Sequence, residues 1–219
     1  MNATSLKASV SLWSADLSNL ASEIQRIDPY ADSYHLDVSD GTYATSLLLF
    51  FPDLVKSIRG ITEKPFEVHL ITQRPERWVD AFLASGVNRI LFYPETTESI
   101  SGLIDTARRR NVGIGISLAL ETPVSTIEEY LGRLDVACVV GTGFDVKGAP
   151  EVAEVAYEKV RQLAAIRQRR RLSFEIEADG AIRRHTVPRL RQCGVDIVVP
   201  GSLIFNGDAR ETSQWMHSL

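Results

Sequence analysis

The chain has 219 residues, with 28 acidic against 24 basic side chains, a net charge of -4, and 44% hydrophobic and 24% charged residues. That balance is the one of an ordinary globule of one or at most two domains, able to bury roughly 70% of its extended surface, and it argues against disorder. The mildly acidic charge argues against a general nucleic-acid surface. Cys138 and Cys193 lie in apolar runs without a CxxC partner, so both read as small buried hydrophobes of a reducing cytoplasm. Met1 to Ser9 lacks a charged segment followed by an apolar one, and the longest apolar stretch, Leu47–Phe51, is far short of the ~20 residues of a membrane span. A cytoplasmic location without membrane contact is the expectation.

In chain order, short apolar, β-branched runs alternate with amphipathic stretches. A strand over Ala8–Trp13 is followed by a helix over Leu17–Ile27, a strand over Tyr34–Val38 by a helix over Phe51–Ile58, and a strand over Phe66–Leu70 by a helix over Pro75–Ala84. Strands over Arg89–Phe92 and Val112–Leu118 precede helices over Glu98–Arg110 and Pro123–Leu131. Strands over Val136–Val140, Leu172–Ile176 and Asp196–Val199 precede helices over Glu151–Arg170, Ile182–Cys193 and Ala209 to the C-terminus. Arg74-Pro75-Glu76 and Thr122-Pro123 carry helix-start chemistry. The arginines at 108–110 and at 167 and 169–171 sit at helix C-terminal ends, where the dipole favours solvated cations.

Strands separated by helices pair in parallel through right-handed crossovers. Eight such units predict a single-domain (β/α)8 TIM barrel over residues 1–219. A doubly wound nucleotide-binding sheet is disfavoured, because Ser9-Val10-Ser11-Leu12-Trp13-Ser14 carries no GxGxxG and no Pro/Gly/Ser-rich linker divides the chain.

Barrel enzymes carry their chemistry at the C-terminal ends of strands. His35 and Asp37 are two apart on the second strand and share its inward face. His69 ends the third, and Asp179 ends the seventh in Glu175-Ile176-Glu177-Ala178-Asp179-Gly180. A lone strand histidine is more often a satisfied core residue, but two imidazoles and two carboxylates converging from strands 2, 3 and 7 form a ligand set for Zn²⁺ or another divalent first-row ion. His185 and His217 sit in polar helical surroundings and read as surface residues.

Several segments together resemble one family. His35-Leu36-Asp37-Val38-Ser39-Asp40-Gly41 is similar to the HxDxMDG segment of ribulose-phosphate 3-epimerases, and Ser11-Leu12-Trp13-Ser14-Ala15-Asp16 to their opening SxLSAD. Val68-His69-Leu70 with Arg74-Pro75-Glu76 resembles VHLM…PE, Glu175 to Gly180 resembles IEVDGG, and Gly201-Ser202-Leu203-Ile204-Phe205 resembles GSxIF. The resemblance spans nearly the whole chain. It implies a (β/α)8 barrel that inverts C3 of a phosphorylated ketose such as ribulose 5-phosphate, commonly as a homo-oligomer, with one divalent metal, typically zinc, with manganese, iron and cobalt compatible by ligand type. Carried over, the ligands are His35, Asp37, His69 and Asp179, with Asp37 and Asp179 also the acid/base pair. Ser11 contacts the substrate, and Gly148, Gly180, Gly201 and Ser202 belong to the phosphate end, assisted by a short helix N-terminus.

The match departs after strand 6, where PGFGGQ becomes Gly141-Thr142-Gly143-Phe144-Asp145-Val146-Lys147-Gly148-Ala149. Lys147 there offers a compact positive charge in place of lost backbone contacts to phosphate. DGG becomes Asp179-Gly180-Ala181, Ser39 replaces a methionine, Thr42-Tyr43-Ala44-Thr45-Ser46 replaces HFVPN, and HxE becomes Tyr93-Pro94-Glu95. An intact metal and acid/base set inside an altered substrate shell fits a retained reaction on a changed ketose phosphate. An aldolase or decarboxylase on the same barrel, or a non-catalytic sugar-phosphate-binding barrel, are the alternatives. The length is also short for a barrel that typically runs to about 250 residues, which leaves substrate choice to the few longer loops, above all Gly141–Ala149.

Overall fold

The computed structural model describes residues 5–144 and 148–219. Eight parallel strands, β1 (Lys7–Ser11), β2 (Ser33–Asp40), β4 (Phe66–Ile71), β5 (Arg89–Phe92), β6 (Gly113–Leu118), β7 (Val136–Val140), β8 (Glu175–Asp179) and β9 (Ile197–Val198), pair in that order. The pairing of β1 with β2, Ser11 opposite His35, closes the ring. The fold is therefore the expected (β/α)8 barrel. Strand β3 (Leu47–Leu49) is an addition: it pairs antiparallel with the end of β2, Asp40 opposite Leu47, so the apolar run at 47–51 makes a rim hairpin.

Around the ring stand α1 (Leu20–Ile27), α2 (Pro52–Ile58), α3 (Glu76–Ala84), α4 (Ile100–Arg109), α5 (Glu154–Arg170), α6 (Val187–Cys193), α7 (Ser202–Phe205) and α8 (Ala209–His217). The helix predicted over Pro123–Leu131 is instead two 3-10 turns, Val124–Thr126 and Leu131–Arg133. Consecutive Val124, Ser125, Thr126 and Ile127 are weak helix formers, and Gly132 follows. Lys159 of α5 ties this segment down by donating to the carbonyls of Ala119 and, at 2.8 Å, Leu120. Arg167, expected to be solvated, turns inward to pair with Asp196 and donate to the Phe174 carbonyl at 3.0 Å.

The strand period divides the core in two. Outward residues such as Val10, Leu36, Val68, Phe92, Ile116, Val139 and Ile176 pack under the helices in one large apolar cluster. The inward set is different in kind. Ser9 and Ser11, His35, Asp37 and Ser39, Glu67 and His69, Arg89, Ser117, and Glu177 and Asp179 project inward among Leu91, Tyr93, Val136, Cys138 and Val140. Gly115 is the narrow point of this lumen: a Cβ there would sit 2.2 Å from Val136 Cγ1 and 2.6 Å from Leu91 Cδ2.

At the opposite end of the barrel a repeated device holds the register. Asp32, Asn88, Asp135 and Asp196 each precede a strand, and each side chain accepts the backbone N–H of a residue on the neighbouring strand, Ala8, Phe66, Ile114 and Ile176, at 2.8 Å. Asp135→Ala leaves the buried Ile114 N–H unpaired. We expect a loss of about 1–3 kcal/mol of stability, measured by urea unfolding.

Candidate active site

The register that closes the barrel assembles the candidate cluster. His35 stands opposite Glu67, and Asp37 opposite His69, on the paired strands β2 and β4. Asp179 ends β8, which β9 and β1 separate from β2 round the ring. His35 is fully buried, and Asp37 and His69 are 4% and 1% exposed. His35 Nε2 lies 3.2 Å from both His69 Nδ1 and Asp37 Oδ1, and 3.9 Å from Asp179 Oδ2. His69 Nδ1 is 3.5 Å from Asp37 Oδ1 and 3.7 Å from Asp179 Oδ2. One donor atom from each of the four residues thus lies within 4.8 Å of every other.

The chemistry of this donor set favours a cation. Glu67 Oε1 lies 2.8 Å from His35 Nδ1, so that nitrogen carries the proton and Nε2 turns a lone pair toward two carboxylates and a second imidazole. Converging lone pairs repel unless positive charge sits between them. The electrostatics of the protein groups alone say the same. Burial disfavours charge on His35, yet Asp37, Glu67 and Asp179 around it push its pKa well above the usual histidine value. Burial also opposes ionisation of Asp37, but His35 and His69 hold it well below the carboxylate range. At Asp179, burial and the Asp37 charge outweigh the imidazoles and push the pKa up. The residues therefore fit a divalent ion.

Beneath the cluster lies a layer that motif reading missed. Arg89 pairs with Glu67, approaches Glu177 to 3.7 Å and Glu175 to 3.4 Å, and Lys7 meets Glu175 at 2.6 Å. Against the burial penalty, Arg89 and His35 hold Glu67 down at about 2. Burial and the Glu67 charge push Glu177 far up, so it is the neutral member. The available signal was the period of two: Glu67, Arg89, Glu175 and Glu177 all occupy inward positions of their strands.

Above the cluster a cavity opens at the C-terminal rim, lined by Asp37, His69 and Asp179 at its floor. Ser11 lines it and donates to Asp37 Oδ2 at 3.0 Å. Gly148, Gly180, Gly201 and Ser202 line the same cavity. Gly201 lies close under Ser14: a Cβ there would sit 2.3 Å from Ser14 Oγ and make that hydroxyl turn away. Gly180 has φ +85 and Ala181 φ +52, so the alanine carries its Cβ in the left-handed region. Lys147, with Asp145 and Val146, lies outside the described residues. The side wall is aromatic: Tyr93 stacks on His69 at 5.2 Å between centroids, and Tyr43 and Phe144 pack on Tyr93.

Comparison with known proteins then places the chain. The sequence model of the Ribulose-phosphate 3 epimerase family matches residues 7–205. The chain belongs to the ribulose-phosphate 3-epimerase family. It is an enzyme of the isomerase class, a carbohydrate epimerase. The ribulose-phosphate 3-epimerase of Treponema pallidum (strain Nichols) is 33% identical over 201 residues, 91% of each chain. That of Rhodobacter capsulatus is 30% identical over 211 residues, 96% of this chain and 90% of the relative. Among solved structures, 3-hexulose-6-phosphate synthase superposes with a TM-score of 0.67 at 15% identity, over 98% of this chain and 99% of that one. The Pyrococcus furiosus tryptophan synthase complex gives 0.65 at 18%, over 98% and 95%. These two show that the fold is shared.

The epimerase's buried Glu67 orients His35. Glu67→Gln, which removes that charge, is expected to weaken divalent-metal affinity about 10- to 100-fold, measured by chelator competition on the folded protein.

Proposed function

We propose that this epimerase inverts C3 of a phosphorylated ketopentose, interconverting ribulose 5-phosphate and xylulose 5-phosphate, by proton transfer between Asp37 and Asp179. The observation that carries the reading is the pair of carboxylates converging from β2 and β8 on one cluster at the cavity floor, in a chain of this family. Inversion needs a proton removed on one face of the carbon and one returned on the other. Asp37 serves as base and Asp179 as acid in one direction, with roles exchanged in reverse. Ser11, donating to Asp37 Oδ2, holds that carboxylate's orientation.

His35, Asp37, His69 and Asp179 would hold one divalent ion, zinc by preference, with manganese, iron and cobalt compatible with the same ligand types. Such an ion supplies Lewis-acid stabilisation of the negative charge that develops on the ketose oxygens. Trp13, Tyr93 and Phe144 line the cavity and exclude water from the reacting carbon. Gly148, Gly180, Gly201 and Ser202 receive the phosphate end, in the loops where barrels of this kind take phosphate. The departures at Tyr93, which lines the cavity, and at Tyr43, which packs on it, point to a retained reaction with adjusted substrate choice among ketose phosphates.

The proposal includes a cytoplasmic location, in keeping with the free, buried Cys138 and Cys193. No helix among the described residues is long and apolar enough to cross a membrane. Self-association through the rim near Leu47, which is 65% exposed, completes it.

Several outcomes test this reading. The purified protein should contain about one divalent ion per chain by elemental analysis and should exchange the C3 hydrogen of ribulose 5-phosphate with solvent deuterium. Asp37→Asn and Asp179→Asn should each lower kcat by roughly 10²- to 10⁴-fold; substantial turnover in either variant removes that residue from the mechanism. Across a panel of C4 to C6 ketose phosphates, exclusive use of ribulose 5-phosphate would rule out adjusted specificity.

A further inference from the structure

The cavity must receive a dianionic phosphate although its floor already holds Asp37 and Asp179. Something on the opposite side has to supply positive charge. Among the described lining residues one arginine or lysine is present, Arg183, in the loop between β8 and α6. No resemblance of motif singles it out.

The placement of its guanidinium is specific. Nη2 donates to the Ala149 carbonyl at 2.9 Å, and Nη1 donates to the Ile182 carbonyl at 3.0 Å and to Ser202 Oγ at 3.4 Å. Ala149 follows β7, Ile182 follows β8 and Ser202 follows β9, so one planar group spans the loops after three successive strands. All three acceptors are neutral. No carboxylate among the described residues pairs with it, although Arg26, Arg89, Arg133, Arg167, Arg184 and Arg189 all have such partners. A half-buried guanidinium held in place by neutral oxygens, with donors remaining, is prepared for an anion from outside the chain. Its neighbours in the cavity include Gly180, Gly201 and Ser202, and the Ser202 hydroxyl is already among its contacts.

We infer that Arg183 is a specificity-determining residue: its guanidinium binds the substrate's phosphate directly and makes the cavity selective for phosphorylated over unphosphorylated ketoses. The inference rests on the reading that the cavity takes a sugar phosphate. In sequence the loop after β7 carries Asp145 and Val146 where the family has two glycines, and the arginine is the cation that the described lining offers at that end of the cavity. It also carries a structural duty, through Ala149 and Ile182, so its removal has to be read by a probe that responds to phosphate alone.

The test compares the metal-loaded wild type with Arg183→Gln and Arg183→Lys, after circular dichroism and thermal unfolding show which variants are folded. Three quantities are read: kcat and KM for ribulose 5-phosphate, kcat/KM for unphosphorylated ribulose, and the competitive inhibition constant of inorganic phosphate. Loss of a charge-assisted pair predicts that Arg183→Gln raises KM and the phosphate inhibition constant together by about 10- to 100-fold. Its kcat should stay within a few-fold and its action on ribulose should be unchanged, while Arg183→Lys regains part of the loss. If Arg183→Gln does not fold, Arg183→Lys decides: a rise of several-fold in both quantities supports the assignment, and wild-type values for both overturn it. Equal losses on ribulose and its phosphate would reduce Arg183 to a loop brace and overturn the assignment, as would a wild type that binds no inorganic phosphate. Failure of the proposed reaction is separate: a wild type that binds phosphate through Arg183, measured by calorimetry, yet exchanges no C3 hydrogen upholds the assignment and removes the epimerisation reading.

Discussion

Closing eight parallel strands into a ring sends every second side chain into a packed lumen, and this protein has placed ionisable groups there. His35, Asp37, Glu67, His69, Arg89, Glu177 and Asp179 all occupy inward positions. An isolated buried charge is costly, so each of these groups depends on the position of the others. The ring closure between Ser11 and His35 and the register that sets Asp37 opposite His69 decide whether the cluster exists at all. A slip of one residue would exchange the polar set for the aliphatic one on the outer face. The backbone clamps at Asp32, Asn88, Asp135 and Asp196 therefore protect the chemistry from the far end of the barrel.

The lumen is layered by function. The lowest level, Lys7, Glu175 and Arg89, balances charge near the N-terminal ends of the strands. The middle level, Glu67 and Glu177, divides into one ionised and one neutral acid, because burial and Arg89 reward a single charge between them. The ionised acid accepts a hydrogen bond from the Nδ1–H of His35 and leaves Nε2 for the level above. At the top, carboxylates and imidazoles meet the cavity. Orientation of the uppermost ligands is thus determined two levels down.

The rim is less uniform than the lumen. One wall is aromatic, with Tyr93 stacked on His69 and Tyr43 and Phe144 against it. The other is made of glycines, small hydroxyls and the Arg183 guanidinium, which joins the loops after β7, β8 and β9. The two walls suit the two ends of a sugar phosphate: a flat apolar surface beside the reacting carbons and hydrogen-bond donors beside the anion. Ala181, in the left-handed region, departs from ideal geometry at this rim.

Much of this was determined by the sequence alone. The alternation of strand and helix patterns specifies a (β/α)8 barrel, and the spacing of His35 and Asp37 puts both on one strand face, because the period of two is a local property of extended backbone. His69 and Asp179 were legible as strand-end residues for the same reason. What only the tertiary structure decided was partnership. Glu67 belongs to His35 across 32 residues, Arg183 reaches the loop at Ala149 across 34, Arg167 turns in to Asp196, and the apolar run at 47–49 becomes an antiparallel strand on β2. Local chemistry states which way a side chain points. Which charge or carbonyl it finds there depends on the register and closure of strands far apart in the chain, which no single segment encodes.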